Sequence, residues 1–332
     1  MVTQKNIADE LGLSVAAVSK ALSDSSDVSD EVKTKVKEVA ARLGYVPNAT
    51  ARALRSHKSK LIGLLYSGIE KAGLSHEFFS YVMDSFRKEA EKEGYSVIFL
   101  QETPSMDYLD MVHYWDMDAV AVLYCDFARP SVKRLIASDI PMVVLNFHFS
   151  GKISVQSNSY YGEKDLIQRL YRGGYRKFAL IEGEGGARAP VFKERVYAYY
   201  ATLKELGLSS CDEEACKAYD PMTSLVATKK ILERTKPDVL VYTDDVCALS
   251  GIIHLKTMGI TPKKDIGVVG FGGMRMSRLS DPVLTSYVLA QDSLGITAAA
   301  ELIKWLKNPN SYLPKRLFID GAFQEGDTAR TD

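Results

Sequence analysis

The sequence predicts a small all-α head carrying a helix-turn-helix, followed by a larger α/β body of two doubly wound parallel-sheet subdomains. Three observations carry this expectation. Residues 3–22 read TQKNIADELGLSVAAVSKAL, two short amphipathic segments joined at Gly12. From Leu61 onward, short Val/Ile/Leu-rich runs alternate with amphipathic helical stretches, the signature of parallel strands covered on both faces. The alternation forms two series of comparable length, one for each sheet.

In the head, Ile7, Ala8 and Leu11 mark one apolar face, and Val15, Val18 and Leu22 mark the next. Ser14 stands where a helix N-cap belongs, since its hydroxyl can accept from an orphan N–H. A glycine-hinged pair of this kind suggests a helix-turn-helix, whose second helix enters the DNA major groove. Two short helices around a glycine also occur in other small helical domains, so the context matters. Ser29 is placed to cap a third helix, with Val32, Val36, Val39, Ala40 and Leu43 on one face and Gly44 at its end. Three helices in about 45 residues lie near the lower size limit for independent stability.

Residues 46–60 read VPNATARALRSHKSK. Pro47 disfavours helix at Val46, and Asn48 can cap a short helix running to Leu54. Such a helix is marginal alone. It reads either as a basic linker or as a hinge that becomes helical on DNA, with Leu54 an apolar wedge for the minor groove.

In the body, the strand-like runs are LIGLLY, YSVIFL, AVAVLY and MVVLN, then KFALIEG, VLVYTD and IGVVGF. Helices are expected over 77–93, 105–114, 131–138, 159–173, 190–206 and 245–258. A ligand would sit between two such sheets, at the carboxyl ends of their strands.

Composition bounds the function classes. At 332 residues the chain exceeds one domain of ~150 residues. With 46% hydrophobic and 25% charged residues, it is ordinary for a globular protein. No apolar run reaches the ~18 residues of a membrane span, and Met1 is not followed by a secretory apolar region; a cytoplasmic protein, without a membrane partner, is expected. Cys125, Cys211, Cys216 and Cys247 show no CxxC and no His at zinc spacing, so buried or inert thiols are expected and no metal. Lys+Arg and Asp+Glu balance at 42 each. Residues 1–60, however, hold ten basic against seven acidic side chains, a mildly basic head that suits a phosphate-facing module.

Enzyme signatures are missing. There is no Walker loop and no GxSxG, and the five histidines are scattered. GEGG at 183–186 follows a strand but lacks the Lys-Ser/Thr of a phosphate loop and the dinucleotide glycine spacing, so it reads as a turn. No enzyme activity and no cofactor are expected.

IADELGLSVAAVSKAL, VSDEVKTKVKEVAARLGYVPNATARALRS, LIGLLY and the late stretch TDDVCALSGIIHLKTMGITPKKDIGVVGFGG with PVLTS resemble the lactose-repressor/galactose-repressor (LacI/GalR) family of bacterial transcription regulators. The resemblance spans essentially the full length. The late stretch is shared with periplasmic sugar-binding proteins, which lack the head. It implies a periplasmic-binding-protein-like body divided as 61–158 plus 290–318 and 159–289 plus 319–332, behind a head at 1–45 and a hinge at 46–60. It implies a repressor that binds a palindromic double-stranded DNA operator as a homodimer and answers to a small polar effector, a sugar or related metabolite, held in the cleft. The alternative is a small-molecule binding protein without direct gene regulation. No leucine-heptad tail follows Phe323, which favours dimer over tetramer.

The resemblance also assigns residues. Val15, Ala16 and Lys20 match positions that read base edges; the first two offer only apolar contacts, and Lys20 lacks the planar fork of the arginine many members carry. Thr3, Ser14, Ser19, Tyr45 and Asn48 match positions that touch phosphates or orient the head. Leu54 matches the minor-groove wedge and Ala51 the close-packed hinge position. In the cleft, Arg195 matches the arginine that clamps effector hydroxyls or a carboxylate, and Phe78 and Phe79 match an aromatic pair that lines the site. Asp244 and Asp245 match effector-contact positions after a strand, where the commoner use of one such Asp is to cap the next helix. The chain departs from the family at Gly272, then Gly273, where an aspartate is common, at Thr243 in place of an Asn, and at Leu289 in place of a Gln. The resemblance therefore implies a cleft that binds simple hexoses poorly and prefers a less hydroxylated, larger or anionic effector, with Glu182 and the Asp pair as possible substitutes for the lost contacts.

Overall fold

The computed structural model describes residues 2–46, 58–67, 73–184 and 190–331. The chain separates into two compact units, residues 1–59 and 60–332.

The first unit is all-α: α1 (Gln4–Leu11), α2 (Val15–Leu22) and α3 (Asp30–Leu43). Gly12 and Gly44 end α1 and α3 at φ 64° and 69°, left-handed positions that glycine adopts without strain. Ile7, Ala8, Val18, Ala21, Val36 and Ala40 form its buried core. Ser29 precedes α3 but its side chain makes no capping bond. Val15 departs from the expected apolar face: it is 45% exposed. As the first residue of α2 it stands beside the cap rather than on the packed stripe.

The second unit holds two six-stranded sheets. The first is fully parallel, in the order β11 (Arg316–Ile319), β5 (Ile153–Ser157), β4 (Met142–Leu145), β3 (Ala119–Tyr124), β1 (Leu61–Tyr66), β2 (Ser96–Phe99). The second runs β12 (Ala322–Gln324), β10 (Thr285–Val288), β9 (Gly267–Gly272), β8 (Val239–Tyr242), β6 (Phe178–Glu184), β7 (Asp212–Lys217). Its strands are parallel except that β12 runs against β10.

Strand period 2 explains the layers. In β3, Ala119, Ala121 and Leu123 face one core and Val120 and Val122 the other. The first core is covered by α4 (Glu77–Lys92) and α12 (Gln291–Lys307); the second by α5 (Tyr108–Tyr114) and α6 (Pro130–Ala137). In the second sheet, Val239 and Val241 of β8 face α7 (Ser159–Arg172) and α8 (Pro190–Glu205). Leu240 and Tyr242 face α9 (Pro221–Arg234) and α10 (Asp245–Thr257). The chain passes between the sheets three times: from β5 to α7, from β10 to α12, and from β11 to β12.

Helix α5 starts at Tyr108 rather than 105, because the Asp107 carboxylate accepts from the Asp110 N–H at 3.0 Å and sets the first turn there. Cys125, Cys216 and Cys247 are buried, while Cys211 is exposed. It immediately precedes edge strand β7, whose outer side carries no covering strand.

Gly295 sets the approach of α12 to α4. A Cβ there would lie 2.0 Å from Ser85 Oγ and 2.4 Å from the Val82 carbonyl oxygen. Backbone, unlike a side-chain tip, cannot swing away. Gly295→Ala should therefore destabilise the body by about 1–3 kcal/mol, more than the ~1 kcal/mol of helix propensity that alanine adds. Thermal unfolding of the variant checks this; an unchanged or raised midpoint would show that the two helices are not in tight contact.

Candidate functional site

The head presents its second helix in a form suited to a groove. Ser14 Oγ accepts from the Ala17 N–H at 3.1 Å, as a cap should. Behind that cap, Val15 and Ala16 are exposed on the first turn. Lys20 is exposed one turn on, its Nζ 2.9 Å from Asp27 Oδ2. An exposed pair of this kind is screened by water and weakly held, so a phosphate or a base can displace it. Thr3 is exposed and its hydroxyl donates to Asn6 Oδ1 at 2.8 Å. Ser19 is half-buried, and Tyr45 packs half-buried against the head core. Asn48, Ala51 and Leu54 lie outside the described residues.

In the second unit, the expected cleft residues gather at the carboxyl ends of β6, β8 and β9. Arg195 is buried, and its Nη1 donates to the Thr243 carbonyl oxygen at 2.6 Å. Its guanidinium lies 4.1 Å from the Phe271 ring centre and 5.0 Å from that of Phe192, a cation–π setting. Burial lowers its pKa, opposed by Tyr219, Glu163, Asp244 and Asp245 nearby. The Thr243 hydroxyl accepts from the Gly183 N–H at 2.6 Å, tying β6 to β8.

The two aspartates divide their work. Asp244 caps α10: Oδ1 accepts from the Cys247 N–H at 2.9 Å, and Oδ2 from the Tyr219 N–H at 3.3 Å. Asp245 Oδ1 accepts from Ser286 Oγ at 2.6 Å, and Oδ2 from the Met274 N–H at 2.7 Å. Both are fully buried. Burial pushes the carboxyl of Asp244 upward and that of Asp245 up to about 6. Gly272 has φ 128°, and a Cβ there would meet Asp245 Oδ2 at 3.9 Å. Leu289 belongs to the second sheet's core, its N–H bonded to the Gly272 carbonyl at 3.1 Å. Glu182 is half-buried near the end of β6.

Phe78 and Phe79 have different roles. Phe79 is buried in the first sheet's core, 5.1 Å from Tyr66 and 5.4 Å from Tyr124. Phe78 is half-buried and packs on the cores of both sheets. Two neighbours on the same segment also cross between the lobes. The His76 ring meets Tyr219 edge-on at 4.8 Å, and Glu77 Oε1 accepts from the Arg275 N–H at 2.5 Å.

Sequence reasoning missed Glu163. It is fully buried on α7, and neither carboxyl oxygen has a hydrogen-bond partner. Arg195 Nε, Ser157 Oγ and Ser159 Oγ are likewise buried and unpartnered. Burial pushes the Glu163 carboxyl up to about 8, against the pull of Arg195. A signal existed: Glu163 falls four residues after Ser159 and three and seven before Leu166 and Leu170, on the buried face of its helix, where a carboxylate is out of place.

The comparisons with known proteins agree with this architecture. Residues 3–48 match the family model of bacterial regulatory proteins, lacI family, and residues 167–328 match the periplasmic binding protein-like domain. The chain is 26% identical to the probable HTH-type transcriptional repressor ExuR of Bacillus subtilis (strain 168), covering 96% of this chain and 95% of that one. It is 24% identical to the HTH-type transcriptional repressor PurR of Actinobacillus pleuropneumoniae serotype 3 (strain JL03), with the same coverage. In fold it is similar to the Lac repressor dimer bound to operator and the anti-inducer ONPF, with a TM-score of 0.81, 20% identity and 99% of both chains covered.

The Glu163 carboxyl has a consequence for stability. It ionises near 4.5 in the unfolded chain and near 8 in the folded body, so between those values the folded state holds the extra proton. Its contribution is complete below pH 4.5 and is lost as pH rises toward 8. Glu163→Gln abolishes that loss and should stabilise the body at pH 8 by about 2–4 kcal/mol, with the gap closing as pH falls to 5. Melting curves across this range check it; a gap that is absent at pH 8, or that grows on acidification, contradicts the burial of an unpaired carboxyl.

Proposed function

Because the chain belongs to the lacI family of bacterial regulatory proteins, we propose that it is a transcriptional repressor whose operator affinity is set by a small polar effector, a sugar or related metabolite, held between the two lobes of its body. The observation that carries the DNA-binding part is the first turn of α2: a Ser14-capped helix start with Val15 and Ala16 exposed and a cation one turn on. Exposed apolar side chains there suit a thymine methyl, and Lys20 suits a guanine edge or a phosphate. Thr3, Ser14, Ser19, Tyr45 and Asn48 act as phosphate and orienting contacts, which position the protein without reading sequence. Ala51 and Leu54 act in a hinge, with Leu54 as the minor-groove wedge. A small-molecule binding protein alone has no use for such a head.

The repressor works as a homodimer in the cytoplasm. Met222, Val226, Ile253, Met276 and Leu279 are exposed apolar side chains on α9, α10 and α11 (Arg275–Leu279), and apolar surface of this kind gains from being covered by a second copy. Among the described residues no helix is long and apolar enough to cross a membrane. The effector site is built from Arg195, Thr243, Asp244, Asp245 and Gly272 of one lobe, with Phe78 from the other and Phe79 supporting it from the core; the lobes divide as 61–158 plus 290–318 and 159–289 plus 319–332. An effector that binds two lobe arrangements unequally shifts their populations, and it changes operator affinity by the factor of its own preference.

The operator should be a palindrome of roughly 14–20 base pairs, because a two-fold dimer sets its two reading helices about one helical turn apart. Sites selected from random DNA by the full chain, followed by band-shift at rising salt, test this. Binding should weaken steeply as condensed counterions are released. Selection of a single asymmetric half-site bound by one protomer would contradict the proposal.

A further inference from the structure

The polar atoms around Arg195 do not balance. All four carboxylate oxygens of Asp244 and Asp245 already accept bonds from within the protein. The Thr243 carbonyl and hydroxyl oxygens both accept as well, and Gly272 brings no side chain. Each of these oxygens thus already holds one donor, and a ligand hydroxyl would have to share it. Unpartnered beside one another are Arg195 Nε and both oxygens of Glu163, which feel each other's charge. Buried polar atoms without partners are rare and costly in a native protein, and a group of them on neighbouring elements marks a place where something else completes the bonding.

From this accounting we propose that Glu163 is a specificity-determining residue which, together with Arg195, selects an effector bearing a carboxylate. The inference rests on the effector-controlled repressor reading and narrows its ligand class. Arg195 and Glu163 feel each other's charge yet make no hydrogen bond. Were Glu163 simply the counter-ion of Arg195, the two would be bonded; instead Arg195 spends Nη1 on the Thr243 carbonyl and leaves Nε open.

A buried carboxyl near pH 7 with no bonded cation keeps its proton. Here the upward shift to about 8 agrees. Glu163 then donates through its O–H. Together with Arg195 Nε–H it forms a pair of donors, and a ligand carboxylate supplies a matching pair of acceptor oxygens. A hexose hydroxyl fits less well, since this pair offers it only donors and it brings one oxygen where a carboxylate brings two. The groups that bear on this pair are Tyr199, which faces Glu163 from α8, and Tyr219, Asp244, Asp245 and Glu194, which face Arg195. The aspartates keep their own donors, so the change of charge with rising pH at this place falls on Glu163. Above its pKa the ionised carboxylate repels an anionic ligand and satisfies Arg195 itself.

Calorimetric titration of the full-length protein with D-glucuronate, D-gluconate and D-glucose tests this, because the three share one carbon skeleton and differ in the carboxylate. At least one acid should bind ten times or more tighter than glucose at pH 7. Its affinity should fall about tenfold or more between pH 7 and pH 9.5, with proton uptake on binding near pH 8.5. Glu163→Gln keeps a neutral donor, so it should bind the acid within about threefold of wild type at pH 7 and lose the pH dependence. Glucose binding as tightly as the acids, a flat wild-type profile, a Glu163→Gln profile that follows wild type, or no binding of either acid would each overturn the proposal. Operator affinity measured in the same samples tests the repressor reading separately: an acid that binds as described yet leaves operator affinity unchanged removes that reading and not the carboxylate preference.

Discussion

The buried Arg195 guanidinium is the constraint around which the second lobe's working end is arranged. A charge removed from water is costly unless its surroundings compensate for it. Phe271 and Phe192 supply ring faces, the Thr243 carbonyl accepts one N–H, and Asp244 and Asp245 supply the field. Each of these is fixed by the fold. Phe271 lies on β9, Thr243 follows β8, and Asp244 is held by its own capping bond to α10. A cation held this way on one side and left with an open N–H on the other is poised for an acceptor that the chain does not provide.

The carboxyl ends of β7 and β9 in that lobe also carry contacts between the lobes. Phe78 packs on both cores, His76 meets Tyr219, and Glu77 accepts from the Arg275 backbone. These contacts come from one helix start, at the amino end of α4, and reach the second lobe near the residues that face Arg195. A ligand that completes the bonding of Arg195 therefore acts beside the contacts that set the lobe arrangement. That closeness gives a ligand a way to prefer one arrangement, which is the physical requirement for control at a distance.

Much of the fold was legible because its signals are local and periodic. Runs such as AVAVLY and VLVY alternate between two cores, and this demands cover on both faces. The Gly12 turn and the Ser14 cap fixed the start of α2 to the residue. Elements without such signals escaped. β7 reads DEEACK and lies at a sheet edge, where the carboxylates of Asp212 and Glu214, on the same face as buried Cys216, meet Arg234 and Lys230 of α9 rather than apolar side chains; no apolar pattern was there to find. The site was legible where a residue type has one common use. Arg195 and the Asp244–Asp245 pair do lie together at the strand ends, though only the structure shows that each of the aspartate oxygens already accepts a bond. Glu163 was not, because its meaning depends on Arg195, thirty-two positions along the chain and on another helix.

The body's ligand site and the head's grip on DNA form one thermodynamic system. Linkage makes this measurable in a single cycle: the factor by which a ligand changes operator affinity must equal the factor by which operator changes ligand affinity. The dissociation constant of D-glucuronate should be measured with the free protein and with the protein saturated by its selected operator, and the operator constant with and without saturating D-glucuronate. The two ratios should agree, and should lie within the roughly 5–150-fold range of such couplings. Ratios of one on both sides, with the ligand bound, would show that the two sites do not communicate and would contradict the account.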